Sequence, residues 1–205
     1  MKIFHLLILI LFISCDNQAY ISVDIEDSFQ NDFVEAVLNR TKHNITYDGK
    51  YFVIDYPNGD IPKHLGVCTD VIIRSYRQVG IDLQKLIHED IKLNFNSYPI
   101  RKNWPAQRKA DSNIDHRRVP NLEYFFSQHG KSFSISNNKK NYQPGDIVTW
   151  DLMGSSPWHI GIVTNQFSSN TGNPLIVHNI GRGPILDDVL FKFPIRGHYR
   201  YLPNQ

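Results

Sequence analysis

A chain of 205 residues with 41% hydrophobic and 12% aromatic content is long and apolar enough to fill one globular core, which excludes disordered and low-complexity classes. Its 22 Lys and Arg against 20 Asp and Glu leave a net charge of +2, too weak a field to point to nucleic acid or to electrostatic attachment on an acidic membrane. The two cysteines, Cys15 and Cys68, are too few for a disulfide framework and allow at most one bridge.

Lys2 precedes an apolar run from Ile3 to Ile13, broken only by His5, and Ser14-Cys15-Asp16 follows. The run is too short for a bilayer-crossing helix, which needs about 20 residues, but suits the apolar region of a secretory signal. Phe12-Ile13-Ser14-Cys15 resembles a bacterial lipobox, with Phe12 where Leu is usual. That resemblance implies removal of residues 1–14, lipidation of Cys15 and an envelope protein anchored through lipid on the extracytoplasmic side. An ordinary signal peptide with a coincidental cysteine is the alternative. Residues 15–23 then read as a tether and 24–205 as a single domain.

Ile25, Phe29, Phe33 and Val37 recur at intervals of four, which predicts an amphipathic helix over Asp24 to Arg40. Tyr47 to Tyr56 carries β-formers around Asp48-Gly49, which predicts a hairpin or a strand leading into the loop Pro57 to Pro62. From Gly66 to Val79, the residues Val67, Val71, Ile72, Tyr76 and Val79 share a helical face, and Gly80 stands where a C′ glycine belongs. Another helix is predicted over Asp82 to Leu93. A long irregular segment from Asn94 to Val119 follows, a candidate lid, and then a short helix from Pro120 to near Gly130. The last third reads as short strands at Ser132–Ser136, Ile147–Trp150, His159–Thr164, Leu175–Asn179 and Gly197–Leu202. Helices followed by strands are the α+β order.

The helix dipole at a first turn lowers a thiol pKa, which makes Cys68 a candidate nucleophile. A buried structural cysteine is the competing reading. Strand alternation sends His159 and Gly161 to one face and Ile160 and Ile162 to the other, and His178 sits on a second apolar run. A base on one strand and an orienting group on its neighbour is what a nucleophilic thiol requires.

Gly66-Val67-Cys68-Thr69-Asp70-Val71, Pro144-Gly145-Asp146-Ile147-Val148-Thr149-Trp150, His159-Ile160-Gly161-Ile162-Val163 and Val177-His178-Asn179 together resemble the NlpC/P60 superfamily of papain-like cysteine peptidases. More closely, Gly66 to Arg77, Asp115 to Leu122 and Gly197-His198-Tyr199-Arg200 resemble the bacterial DUF1287 family, and the resemblance spans about 47–201. It implies a papain-like α+β fold, with the cysteine-bearing helix packed on a small curved antiparallel sheet. It also implies Cys68 as nucleophile, His159 as general base, His178 as the residue orienting that base, and Tyr56 as a tyrosine beside the cysteine. Around the nucleophile, Val67-Cys68-Thr69-Asp70 departs from the usual Asp-Cys-Ser-Gly, so Asp70 carries only a supporting assignment.

The activity so implied is a thiol amidohydrolase acting on peptidoglycan stem peptides, whose carboxylates could meet Arg117 or Arg118; a solvated charged turn is the alternative for those arginines. Acyl transfer or lipid deacylation by the same Cys-His pair, and a non-catalytic wall-binding lipoprotein, are the competing functions. Cys68, His116, His159, His178 and His198 are available metal ligands but form no short clip, so neither a metal nor a cofactor is expected. Two Asn-x-Thr triplets, at Asn39 and Asn44, carry no weight beside a bacterial lipobox. Oligomeric state is not legible in the sequence.

Overall fold

The four-residue apolar stripe does form a helix, α1 (Asp16–Arg40), and Phe29, Phe33 and Val37 are buried along it. This is a computed structural model; it describes residues 16–152 and 158–203, with side chains described from Ser28 onward, so the signal segment and Cys15 lie outside the described residues. The helix starts eight positions before Asp24, which makes the expected tether 15–23 helical from Asp16. No Gly or Pro interrupts that stretch, and extending an existing helix costs far less than nucleating one. Among the described residues, no helix is long and apolar enough to cross a membrane.

Strands β1 (Thr46–Tyr47) and β2 (Leu65–Gly66) form a small parallel pair. Between them, Asp48 to Tyr56 makes no hairpin. Its backbone is satisfied by side chains from elsewhere: the Asp48 and Lys50 carbonyls accept from Arg117, the Ile54 N–H donates to Asn113 at 3.0 Å, and the Asp55 carbonyl accepts from Gln84 at 2.8 Å. Backbone polar groups need partners, and side chains supply them here instead of a second strand.

Helix α2 (Cys68–Gln78) ends at Gly80, whose φ of 84° suits the left-handed position expected there. Helix α3 (Leu83–Asn94) is capped by Asp82, whose carboxylate accepts the Lys85 N–H. The long irregular segment contains α4 (Ile100–Asn103) and a 3-10 turn over Asp115–Arg117, and α5 (Val119–His129) follows with Pro120 in its first turn.

The remaining strands are β3 (Lys131–Ser132), β4 (Ile147–Asp151), β5 (Trp158–Phe167), β6 (Pro174–His178), β7 (Ile185–Asp187) and β8 (Ile195–Arg200). They form one six-stranded antiparallel sheet in the order β3-β8-β4-β5-β6-β7. Of the expected strand at Ser132–Ser136 only Ser132 is in β3, and β7 was not anticipated, because a three-residue run carries no period to read.

Ile147, Ile160, Ile162 and Val177 pack from the sheet against Phe33, Val71, Ile72, Tyr76, Ile87 and Phe126 of the helices. The opposite face buries Val148, Trp150, Val163 and Ile176 beneath Tyr142, Val189 and Leu190, with the Trp150 Nε1–H donating to the Leu190 carbonyl at 3.0 Å. Both faces are therefore covered, which is why β4 and β5 read as nearly unbroken apolar runs. The fold is α+β, with its helices on one face of the antiparallel sheet.

Candidate active site

The cysteine-bearing turn is held from below. Val67 is the N-cap of α2 with extended backbone, and Cys68 is the first helical residue. The Val67 N–H donates to Asp70 Oδ2 at 2.7 Å, and Arg117 grips the same carboxylate in a fork, Nε to Oδ1 at 2.9 Å and Nη2 to Oδ2 at 3.1 Å. Arg117 also donates to the Lys50 and Asp48 carbonyls, and its own carbonyl accepts the Thr69 hydroxyl. Asn179, just past β6, reaches the Gly66 carbonyl with Nδ2 at 3.3 Å, tying the end of that strand to the entrance of α2.

The two histidines meet across β5 and β6. His159 Nε2 lies 2.8 Å from His178 Nδ1, with the rings nearly perpendicular. Gly161, directly opposite His178, makes this approach possible. A Cβ at Gly161 would stand 2.7 Å from Ile176 Cγ2, 3.0 Å from the Val177 carbonyl oxygen and 3.1 Å from His178 Cβ. The glycine of the His-Ile-Gly triplet is thus required by strand proximity. Alternation along β5 places His159 opposite Trp150 on β4 and sends Ile160 into the helix-side core that contains Cys68. The Cys68 sulfur takes a hydrogen bond from the backbone of Ile160, the residue after His159. Helix α2 and strand β5 therefore meet at Cys68 and the backbone next to His159, while the His159 ring packs on Trp150.

Residues 34–201 match the family described as "Domain of unknown function (DUF1287)", a span that includes Cys68, Asp70, Arg117, His159 and His178. The chain belongs to the DUF1287 family. It is 51% identical over 155 residues to the "Uncharacterized protein YijF" of Escherichia coli (strain K12), an alignment covering 76% of this chain and 73% of that protein.

In this DUF1287 domain, burial dominates the electrostatics of the site. Cys68 is 5% exposed, His159 2% and His178 1%. Burial pushes the Cys68 thiol up to about 12, and hydrogen bonds from the backbone of Ile160, Thr69 and Cys68 offset only part of that effect. The helix-dipole expectation of a lowered thiol pKa is therefore corrected: at this depth desolvation of the anion outweighs the first-turn dipole. Burial, then the neighbouring His178, lowers His159 to about 3. His178 is lowered by burial as well, with Asp187 raising it and Lys192 lowering it. Thiol and imidazoles thus rest as neutral groups.

Several expected residues of the DUF1287 domain take other places. Arg117 is buried with its fork spent on Asp70 and two carbonyls, so it neither meets a substrate carboxylate nor lies in a solvated turn. Arg118 is turned to Gln107 and Asp115, with its guanidinium 3.9 Å from the centre of the Trp104 ring. Trp104 in turn packs against Trp158 at 6.0 Å, so the 94–119 segment walls the start of β5. Tyr56 is bound to α3, with its hydroxyl on Glu89 at 2.5 Å and its ring against His88. The tyrosine near the cysteine is Tyr47, which burial, then proximity to Cys68 and Asp70, raise to about 12. Sequence spacing could not choose between them, because β1 brings Tyr47 beside Gly66 only through a long-range pairing.

Among the described residues, no three or more His, Cys, Asp or Glu gather where a metal ion could be held. His198 is committed to Asp146 at 2.6 Å, and Arg200 holds the same carboxylate. His116 is buried beside Arg117, Arg77 and His88, and burial lowers it to about 3.

Proposed function

We propose that this DUF1287 domain is a papain-like cysteine amidohydrolase of NlpC/P60 type, borne on a lipid-anchored exported protein and acting on peptidoglycan stem peptides. The observation that carries the reading is the 2.8 Å bond between two buried imidazoles on adjacent strands, with a helix-N-terminal cysteine against the backbone of the next residue. A structural cysteine has no need of a paired, desolvated base one residue from the backbone it contacts.

With Nε2 of His159 engaged by His178, Nδ1 is the nitrogen left to take the thiol proton. Because both groups rest neutral, proton transfer accompanies attack instead of preceding it, as general-base catalysis allows. The sulfur adds to the amide carbonyl carbon, and first-turn N–H groups of α2 face the developing oxyanion. His159 then returns the proton to the departing amine, leaving a thioester on Cys68. Water adds to the thioester with His159 again as base, releasing the carboxylic acid and the thiol.

Purified protein incubated with peptidoglycan is expected to release stem-peptide fragments detectable by mass spectrometry, and Cys68→Ala to release none. Equal release from both refutes the nucleophile. Cellular incorporation of labelled fatty acid into the wild type but not into Cys15→Ser is expected; incorporation into both, or neither, rejects the anchor.

A further inference from the structure

The far nitrogen of His178 is unaccounted for. His178 Nδ1 is taken by His159, while His178 Nε2 is buried and has no hydrogen-bond partner among the described residues. The nearest carboxylate is Asp187 on β7, with Oδ2 3.9 Å from Nε2 and a side chain 45% exposed. Strand pairing explains the placement: His178 sits opposite Ile185 and Ile176 opposite Asp187, so Asp187 lies two pairs further along the same ladder, on the same face as Ile185. Its other oxygen, Oδ1, accepts the Asp188 N–H at 2.8 Å.

The proton count then becomes restrictive. One hydrogen lies between His159 Nε2 and His178 Nδ1. If His159 is to accept from the thiol at Nδ1, that hydrogen belongs to His159, so His178 must accept it at Nδ1 and carry its own hydrogen on Nε2. A buried N–H without a partner is costly, whereas one directed at a carboxylate is not. We propose that Asp187 is the positioning residue that fixes both tautomers, its carboxylate closing by about 1 Å to hydrogen-bonding distance of His178 Nε2–H. This rests on the proposed roles of Cys68 and His159. The resulting order is thiol, His159, His178, Asp187. When His159 becomes an imidazolium, its Nε2–H remains with His159 and points to a His178 already anchored by the carboxylate. The groups facing His178 are His159, Asp187 and Lys192, so the carboxylate also offsets the lysine's repulsion of any positive charge that develops there.

The test reads tautomers directly. In the full chain carrying 15N-labelled histidine, long-range proton-nitrogen correlation spectra are expected to show His178 protonated at Nε2 and His159 also at Nε2. Asp187→Ala is expected to give mixed tautomers at both rings and to lower kcat for peptidoglycan by about tenfold or more with KM little changed, as for a lost charge-assisted bond. Asp187→Glu is expected to restore both. Asp187→Asn keeps the shape without the charge, so His178 is expected to protonate at lower pH than in the wild type. A wild-type His178 protonated at Nδ1, or an Asp187→Ala protein with the wild-type tautomers, overturns the proposal. Wild-type tautomers as expected but no Cys68-dependent hydrolysis would leave Asp187 as the tautomer-fixing residue and reject the amidohydrolase reading instead.

Discussion

Replacing Arg117 with methionine removes the cation from a carboxylate that has little access to water. The Arg117 and Asp70 side chains are 2% and 4% exposed, and without the arginine Asp70 keeps only its bond from the Val67 N–H. Breaking a buried pair by removing one partner costs about 3–5 kcal/mol, because the remaining charge stays desolvated. The Asp48 and Lys50 carbonyls also lose their donor, but both lie in a partly exposed segment where water can replace it, so they add little. The loss is a large part of a typical domain stability of about 5–15 kcal/mol. With a urea slope of about 1–3 kcal/mol/M, it moves the unfolding midpoint down by roughly 2 M. Urea titration followed by far-ultraviolet circular dichroism measures this directly. The double variant Asp70→Asn/Arg117→Met should be less damaged than the two single losses summed, with a coupling of about 1–3 kcal/mol. Arg117→Lys should rescue poorly, since an ammonium cannot grip both oxygens in a fork. A single-variant loss below about 1 kcal/mol, or strict additivity in the cycle, would refute the claim that this pair holds the Cys68 turn.

Acid should destabilise the protein through its buried neutral histidines. His116 and His159 fall from 6.5 to about 3 on folding, so between those values the unfolded chain binds protons that the folded one refuses, and stability present above pH 6.5 is lost as pH falls. From pH 7 to pH 5 each should cost about 2 kcal/mol, read as a falling urea midpoint, and His116→Gln should flatten the dependence by one histidine's share. A midpoint that does not change over that range would contradict the burial. Gly161→Ala drives a Cβ to 2.7 Å from Ile176 and 3.1 Å from His178; it should cost about 1–3 kcal/mol in thermal or urea unfolding and lower turnover further by separating the imidazoles. Retained activity at wild-type stability would show that the strands do not need this closeness. Alkylation of Cys68 by iodoacetamide, read on its peptide by mass spectrometry, should keep accelerating with pH past 9, since burial holds the thiol at about 12; a plateau below pH 7 would instead reveal a resting thiolate.

Short-range chemistry made much of this protein legible in its sequence. The apolar spacing of Phe29, Phe33 and Val37, the glycine after α2, the helix over 82–93 and the β-runs around His159 and His178 each depend on residues within a few positions of one another. The pairing of the two histidines was readable for the same reason, because one antiparallel connection joins their strands. Tertiary structure decided what surrounds those groups. It placed Tyr47 instead of Tyr56 near the cysteine, buried Arg117 on Asp70, brought Asp187 behind His178, and raised the thiol that the helix dipole alone would have lowered. Charge and protonation depend on how much protein replaces water around a group, and that quantity arises only when distant segments pack together.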